Sequence, residues 1–350
     1  MATVNTVLGP VDASQIGGTM SHVHLTINIL CWFREPDSGV QRGISEQRIS
    51  LQNLGFVRRN AMLVKDNLVQ DNLELAIQEA AEYKFAGGQT LINVDLPGMG
   101  RDPLALQKIA RATGLHIVTS TGWYVQASQP PEIASKSVEE LADIMIKEIT
   151  VGIGNTGIKA GNIGEIAMSG APPQPFQPGE EKVLRAAARA QQATGVSLTV
   201  HPNFLGDHWD TYLDILEKEG ANLSKCYMSH LGFYTNVDVP KRILKRGVGF
   251  VSYDHFGHEE LFESSMGPGR GFSTDKEEVR VVRELLDAGY ADHVLLCAEV
   301  AMKTCYKAYG GWGYSHVYEN IIPWLKSLGA TDAEVQRMMV ENPRRLHTVG

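Results

Sequence analysis

Eight times along this chain a short run of β-branched and apolar residues is followed by a longer stretch of helical period, and this alternation constrains the fold more than any other feature. The predicted strands are 18–25, 89–95, 115–121, 156–168, 196–201, 225–230, 247–254 and 293–299. Repeated βα units of this kind make a parallel α/β sheet, and eight of them in succession predict a single (β/α)8 TIM barrel filling residues 1–350 as one domain. Helix ends support the phase. Asp102 before Pro103 reads as N-cap and first turn, and Ser137 with Glu140 and Thr331 with Glu334 read as capping boxes. Gly195, Gly220, Gly289 and Gly329 fall where helices should stop. Two connections are too long for plain turns, 26–50 and 255–275; the second, with Gly267, Pro268, Gly269, Arg270 and Gly271, is a candidate lid, its alternative an idle surface loop.

The formal charge of −8, with both signs mixed along the chain, argues against nucleic acid or an anionic membrane as partner and for a small-molecule substrate. No stretch approaches the ~20 apolar residues that span a bilayer, and no basic segment followed by an apolar one opens the chain. Cys31, Cys226, Cys297 and Cys305 have no regular spacing and read as buried free thiols, so a cytoplasmic protein is expected. A homo-oligomer is compatible with all of this.

Polar residues at the strand ends carry the chemistry. The first strand holds His22 and His24, two apart and so on one face; the fourth holds Glu165, the fifth ends in His201, the sixth in His230 and the eighth in Glu299. A barrel keeps its active site at that end, and burying so many imidazoles and carboxylates without cations would be costly. These ligand types suit zinc, manganese, iron or cobalt. The remaining histidines differ: His116 and His293 open strands, and His208 and His347 read as solvated.

This ordered set resembles the amidohydrolase superfamily, and within it the phosphotriesterase-related branch. The stretches that carry the resemblance are GTMSHVHL, GRD at Gly100 to Asp102, GIKAGNIGEIAMS, TVHPN, MSHLG, Lys303 with Thr304, GGWGYSHV and MMVENPRRL, so it runs nearly end to end. The resemblance implies two divalent cations, zinc first. It places His22, His24 and Glu299 on a buried one, His201 and His230 on a more exposed one, and Glu165 as a bridge. Phosphotriesterases proper bridge with a carboxylated lysine; the glutamate-bridged subset has GIIxEIG where this chain has GNIGEIA, which favours Glu165 over Lys159. Two departures stand out: Glu299 replaces the usual aspartate, and Gly232 stands where relatives often carry an acid. Asp254-His255-Phe256-Gly257-His258 resembles the seventh-strand DHxxH, so His255 could move protons or line the pocket.

The expected activity is hydrolysis of a carboxylic amide, ester or lactone, with Glu299 accepting the proton of the attacking water. Organophosphate triester hydrolysis is the alternative, and a non-catalytic barrel that keeps its metals for structure a more distant one. Trp123, Tyr124 and Trp312 are candidate aromatic walls of the pocket, with core packing as the competing account. Arg101 and Lys303 are candidate partners for an anionic substrate group. Gly152, Gly154 and Gly157 spell GxGxxG but lead into a strand instead of leaving one, which speaks against a dinucleotide site.

Overall fold

The computed structural model describes residues 2–171, 173–263 and 271–349. Within them a hairpin of β1 (Thr3–Thr6) and β2 (Gly9–Asp12) precedes a parallel barrel. The barrel strands are β3 (Thr19–Val23), β4 (Thr90–Asn93), β5 (His116–Val118) continued by β6 (Ser120–Thr121), β7 (Asn162–Ala167), β8 (Ser197–His201), β9 (Cys226–Met228), β10 (Phe250–Tyr253) and β11 (Val294–Leu296). Strands β3 to β5 form one hydrogen-bonded ribbon and β6 to β11 the other. Thr119 alone separates β5 from β6, so the two ribbons share a strand, and the His24 amide donates to the Glu299 carbonyl at 3.1 Å where the last strand meets the first. Every residue of β3, β4, β7 and β8 is buried, as in a sheet packed on both faces.

The outer layer follows the predicted phase. Two short helices, α1 (Gly39–Ser45) and α2 (Leu54–Arg59), lie in the excursion after β3; then come α3 (Leu73–Phe85), α4 (Pro103–Thr113), α5 (Val138–Thr150), α6 (Pro178–Thr194), α7 (Trp209–Lys218), α8 (Asp238–Lys245) and α9 (Asp275–Asp287). The chain ends in α10 (Ile322–Ser327), α11 (Asp332–Gln336) and α12 (Asn342–His347). In α5 the buried residues are Leu141, Ala142, Met145 and Ile149, one stripe of a helical surface, and Ser137 and Glu140 close the capping box at its start. Asp102 caps α4 by accepting from the amides of Leu104 and Ala105.

Three expectations need correction, and one element was not foreseen. The N-terminal hairpin escapes periodicity because each strand has four residues; it packs Val4 with Ala13, Ile16, Ile92 and Val118, and its end is tied to the C-terminus by paired backbone bonds between Thr3 and Val349. The strand expected from 156 begins at Asn162. The excursion after β3 runs to Asn72, not to about 50, since α1 and α2 lie within it. His347 is not solvated: it is fully buried, bonded to Ser197 Oγ at 2.8 Å and to Ser21 Oγ at 3.0 Å. The cysteines are free, with Cys31 only half-buried, and no described helix is long and apolar enough to cross a membrane. Of the candidate lid, Gly267, Pro268, Gly269 and Arg270 lie outside the described residues.

Candidate metal centre

Two irregularities in the sheet aim the first ligands. The β3–β4 register shifts between Met20 and Val23, and the β7–β8 register shifts between Ile163 and Ile166. Bulges re-aim side chains, and these two surround His22 and Glu165. Gly164 makes the second possible, because its φ is +101° and a Cβ there would stand 2.4 Å from the Thr199 carbonyl oxygen. His24, His201, His230 and Glu299 follow at or just beyond the C-terminal ends of β3, β8, β9 and β11. His230 has φ +61° and Val300, next to Glu299, φ +52°; among the described residues these are the non-glycine left-handed positions, and both lie at the site.

All six predicted ligands converge, and all are buried. His24 Nε2 lies 3.3 Å from Glu165 Oε1 and 3.3 Å from Glu299 Oε1; His22 Nε2 lies 3.5 Å from Glu165 Oε2 and 3.6 Å from Glu299 Oε1. His230 Nε2 lies 3.5 Å from Glu165 Oε2, and its ring centre is 4.5 Å from that of His201. The six therefore form two groups, His22–His24–Glu165–Glu299 and Glu165–His201–His230, that share Glu165.

The other ring nitrogens are turned outward to partners. His24 Nδ1 meets Asp95 Oδ1 at 2.8 Å, His230 Nδ1 meets Asp254 Oδ1 at 2.9 Å and His201 Nδ1 meets the Pro202 carbonyl at 2.9 Å, which leaves each Nε2 facing the cluster. Tyr314 donates to the His24 carbonyl. Burial resists ionisation of Glu165 and Glu299, yet the neighbouring imidazoles, His22 for the first and His230 for the second, hold both carboxyls well below their usual range. Asp254 is likewise held down, at about 2, by His230 against the cost of burial. Burial and then repulsion from His230 push His201 down to about 4, so its ring is a neutral donor at physiological pH. Both nitrogens of His22 are buried without a hydrogen-bond partner. Unpartnered imidazole beside ionised carboxylates, in two groups with a shared glutamate, is a donor set that fits two divalent cations.

A pocket of about 220 Å³ opens onto this cluster, its walls including Ile27, Trp32, Arg34, Met62, Tyr124 and Met302. His255 lies on the wall as well, stacked between His230 at 4.6 Å and Phe272 at 4.0 Å, its Nε2 3.8 Å from Glu299 Oε2. Tyr124 lines the pocket and bonds His201 Nε2 at 3.0 Å. The other candidate pocket residues are placed elsewhere. Trp123 is buried in the core, Arg101 is locked to Glu148 at 2.6 and 2.9 Å, Lys303 pairs with Asp66 at 2.6 Å, and Trp312 stacks on His316 at 4.7 Å. Lys159 is exposed and precedes β7, at the opposite end of that strand from the ligands. Gly232 leaves room for Glu278 of α9: a Cβ at 232 would stand 2.2 Å from Glu278 Oε1. The sequence reading passed over Asp95 and Asp254 as orienting groups, although each closes a predicted strand, and over Trp32, Arg34 and Met62, whose excursion carries no periodic signal.

A parallel barrel with histidines and carboxylates gathered at the C-terminal ends of its strands defines a class, the barrel hydrolases that work with divalent cations. Comparison with known proteins narrows the class. The profile of the phosphotriesterase family matches residues 2–347, and the chain belongs to that family and is a metal-dependent hydrolase of small molecules. It is 35% identical to human N-acetyltaurine hydrolase over 344 residues, 98% of this chain and 97% of that protein. Among solved structures it resembles a resiniferatoxin-binding protein from Rhodobacter sphaeroides, with TM-score 0.93 and 33% identity over 99% of this chain and 94% of the other. It also resembles a phosphotriesterase-like lactonase variant from Deinococcus radiodurans, with TM-score 0.75 and 26% identity over 98% and 99%.

Proposed function

We propose that this chain cleaves the amide bond of a small N-acylated compound that carries an anionic group, using two divalent cations, zinc first, in a reducing cytoplasm. His22, His24 and Glu299 would hold one cation, His201 and His230 the other, and Glu165 both. When bound, the pair supplies Lewis acidity, lowering the pKa of a water and polarising the scissile carbonyl. Glu299, ionised in its cluster, accepts the proton of the attacking water. His255, 3.8 Å from Glu299 and with both ring nitrogens free of a hydrogen-bond partner, is placed to pass that proton onward. With His201 Nε2 on a cation, the Tyr124 hydroxyl that meets this nitrogen at 3.0 Å would be released to donate to the developing oxyanion. Phe204, Phe262 and Phe272 on the wall keep bulk water from the reacting atoms.

The observation that carries the substrate class is Arg34. It lines this largely apolar pocket, its side chain is exposed, and it has no carboxylate partner among the described residues. A free guanidinium on such a wall suits a carboxylate or sulfonate on the ligand, and a relative is named for an N-acyl aminosulfonate. A second reading, lactone or ester cleavage, is favoured by the apolar wall and by the lactonase relative. A kcat/KM panel with added zinc or manganese tests both: an N-acetyl aminosulfonate, a neutral N-acetylamine, a lactone and an aryl phosphotriester. The anionic amide should be cleaved fastest, and Arg34→Met should raise its KM roughly tenfold or more, the worth of one charge-assisted contact, while sparing the neutral amide. Faster cleavage of the lactone or phosphotriester would overturn the amide reading.

A further inference from the structure

We propose a third cation site, built from His258, Glu260 and Cys305 and separate from the six-residue centre, that takes a zinc-like divalent ion. The three residues come from two connections: His258 and Glu260 follow β10, and Cys305 closes the short turn Lys303–Cys305 after β11. All are buried, at 1%, 5% and 3% exposure. Cys305 Sγ lies 3.6 Å from Glu260 Oε1, and 3.8 and 3.7 Å from the two ring nitrogens of His258; His258 Nδ1 lies 3.9 Å from Glu260 Oε2. Donors around one tetrahedral zinc, with bonds of about 2.0–2.3 Å, stand roughly 3.3–3.8 Å apart. The observed spacings of 3.6–3.9 Å lie at and just above the upper end of that range, and because Sγ is almost equally far from both ring nitrogens, the His258 ring would turn to present one of them to the ion.

A second observation points to a ligand. Glu260 Oε2 is buried and has no hydrogen-bond partner, a position that is expensive for a carboxylate oxygen in the absence of a cation. A neighbouring cavity of about 210 Å³, lined in part by Glu260, Thr304, Gly257 and Trp312, provides an entry path and space for water as a fourth donor. Thiolate with imidazole and carboxylate selects zinc or a similar borderline ion over magnesium or calcium, and binding displaces the Cys305 thiol proton to solvent. The ion would fasten the connection after β10 to the one after β11. His258 also reaches the main centre, its Nε2 lying 3.7 Å from Glu299 Oε2, so the fastening would hold one wall of the pocket.

The test is metal stoichiometry and cobalt spectroscopy on the full-length chain. After loading with zinc and desalting, wild type should hold one equivalent more than Cys305→Ser or Glu260→Gln. The cobalt-loaded wild type should show a thiolate-to-cobalt charge-transfer absorption in the near ultraviolet that Cys305→Ser lacks, since neither group of the main centre contains a cysteine. Should Cys305→Ser not fold, Glu260→Gln carries the stoichiometry, and mass-spectrometric mapping of thiol labelling in wild type should show Cys305 protected until the protein is chelated. Equal stoichiometry in wild type and variants, a cobalt spectrum without the thiolate band, or labelling of Cys305 indifferent to chelation would overturn the proposal.

Discussion

His230 concentrates several demands on one residue. Its backbone is left-handed at φ +61°, and its amide and its Nδ1 both meet Asp254 Oδ1 at 2.9 Å, which leaves Nε2 toward Glu165. Asp254 therefore sets the ring's orientation and basicity from outside the ligand set, and its charge is secured because it titrates at about 2. Asp254→Asn keeps the shape and removes the charge; metal affinity should fall ~10–100-fold, measured by competition with a chromophoric chelator. Unchanged affinity would remove Asp254 from the orienting role. Glu299 stands closer to the chemistry. Glu299→Gln should slow turnover at least ~100-fold, the usual worth of a general base, with elemental analysis showing how much metal the variant retains. Normal turnover in that variant would rule out the proton role.

Elements show where pattern reading works and where it stops. The longer helices are legible in the sequence, because a buried stripe like that of α5 and a capping box like Ser137 with Glu140 are local features written in adjacent residues, whereas the short α1 and α2 carry no such stripe. The bulges at His22 and Glu165 did not, since a register shift is a relation between two strands. The same holds for the end of α12. His347 looks like a solvated terminal residue but is buried between Ser21 of β3 and Ser197 of β8, and burial, then the Lys225 charge, lowers its pKa to about 3. The unfolded chain, near 6.5, binds the proton more readily than the fold between pH 3 and 6.5, so this group makes stability rise with pH across that window. Denaturant titrations should show a steeper rise there for wild type than for His347→Gln; parallel slopes would mean the ring is not held neutral by its site.

For the whole molecule, the two clusters that share Glu165 would couple folding to metal. Groups on β3, β7 and β8 and just beyond β9 and β11 meet only in the closed barrel, so cations held there would stabilise the folded chain, by about 2.7 kcal/mol at a hundredfold excess over Kd. Exhaustive chelation should lower the melting temperature and abolish turnover, and zinc or manganese should restore both. A chelated protein that melts and turns over as before would sink the metal-centre reading. The sequence by itself determined the eight βα units, several helix caps and stops, and the identity of the six convergent residues, because period, capping and strand-end position are encoded within a few residues of one another. Only the tertiary structure decided the pocket wall from the excursion after β3, the pairing of Arg101 and Lys303 with Glu148 and Asp66, and the gathering of His258, Glu260 and Cys305. Those features depend on which distant side chains share a space, and burial and charge pairing settle that when the barrel closes.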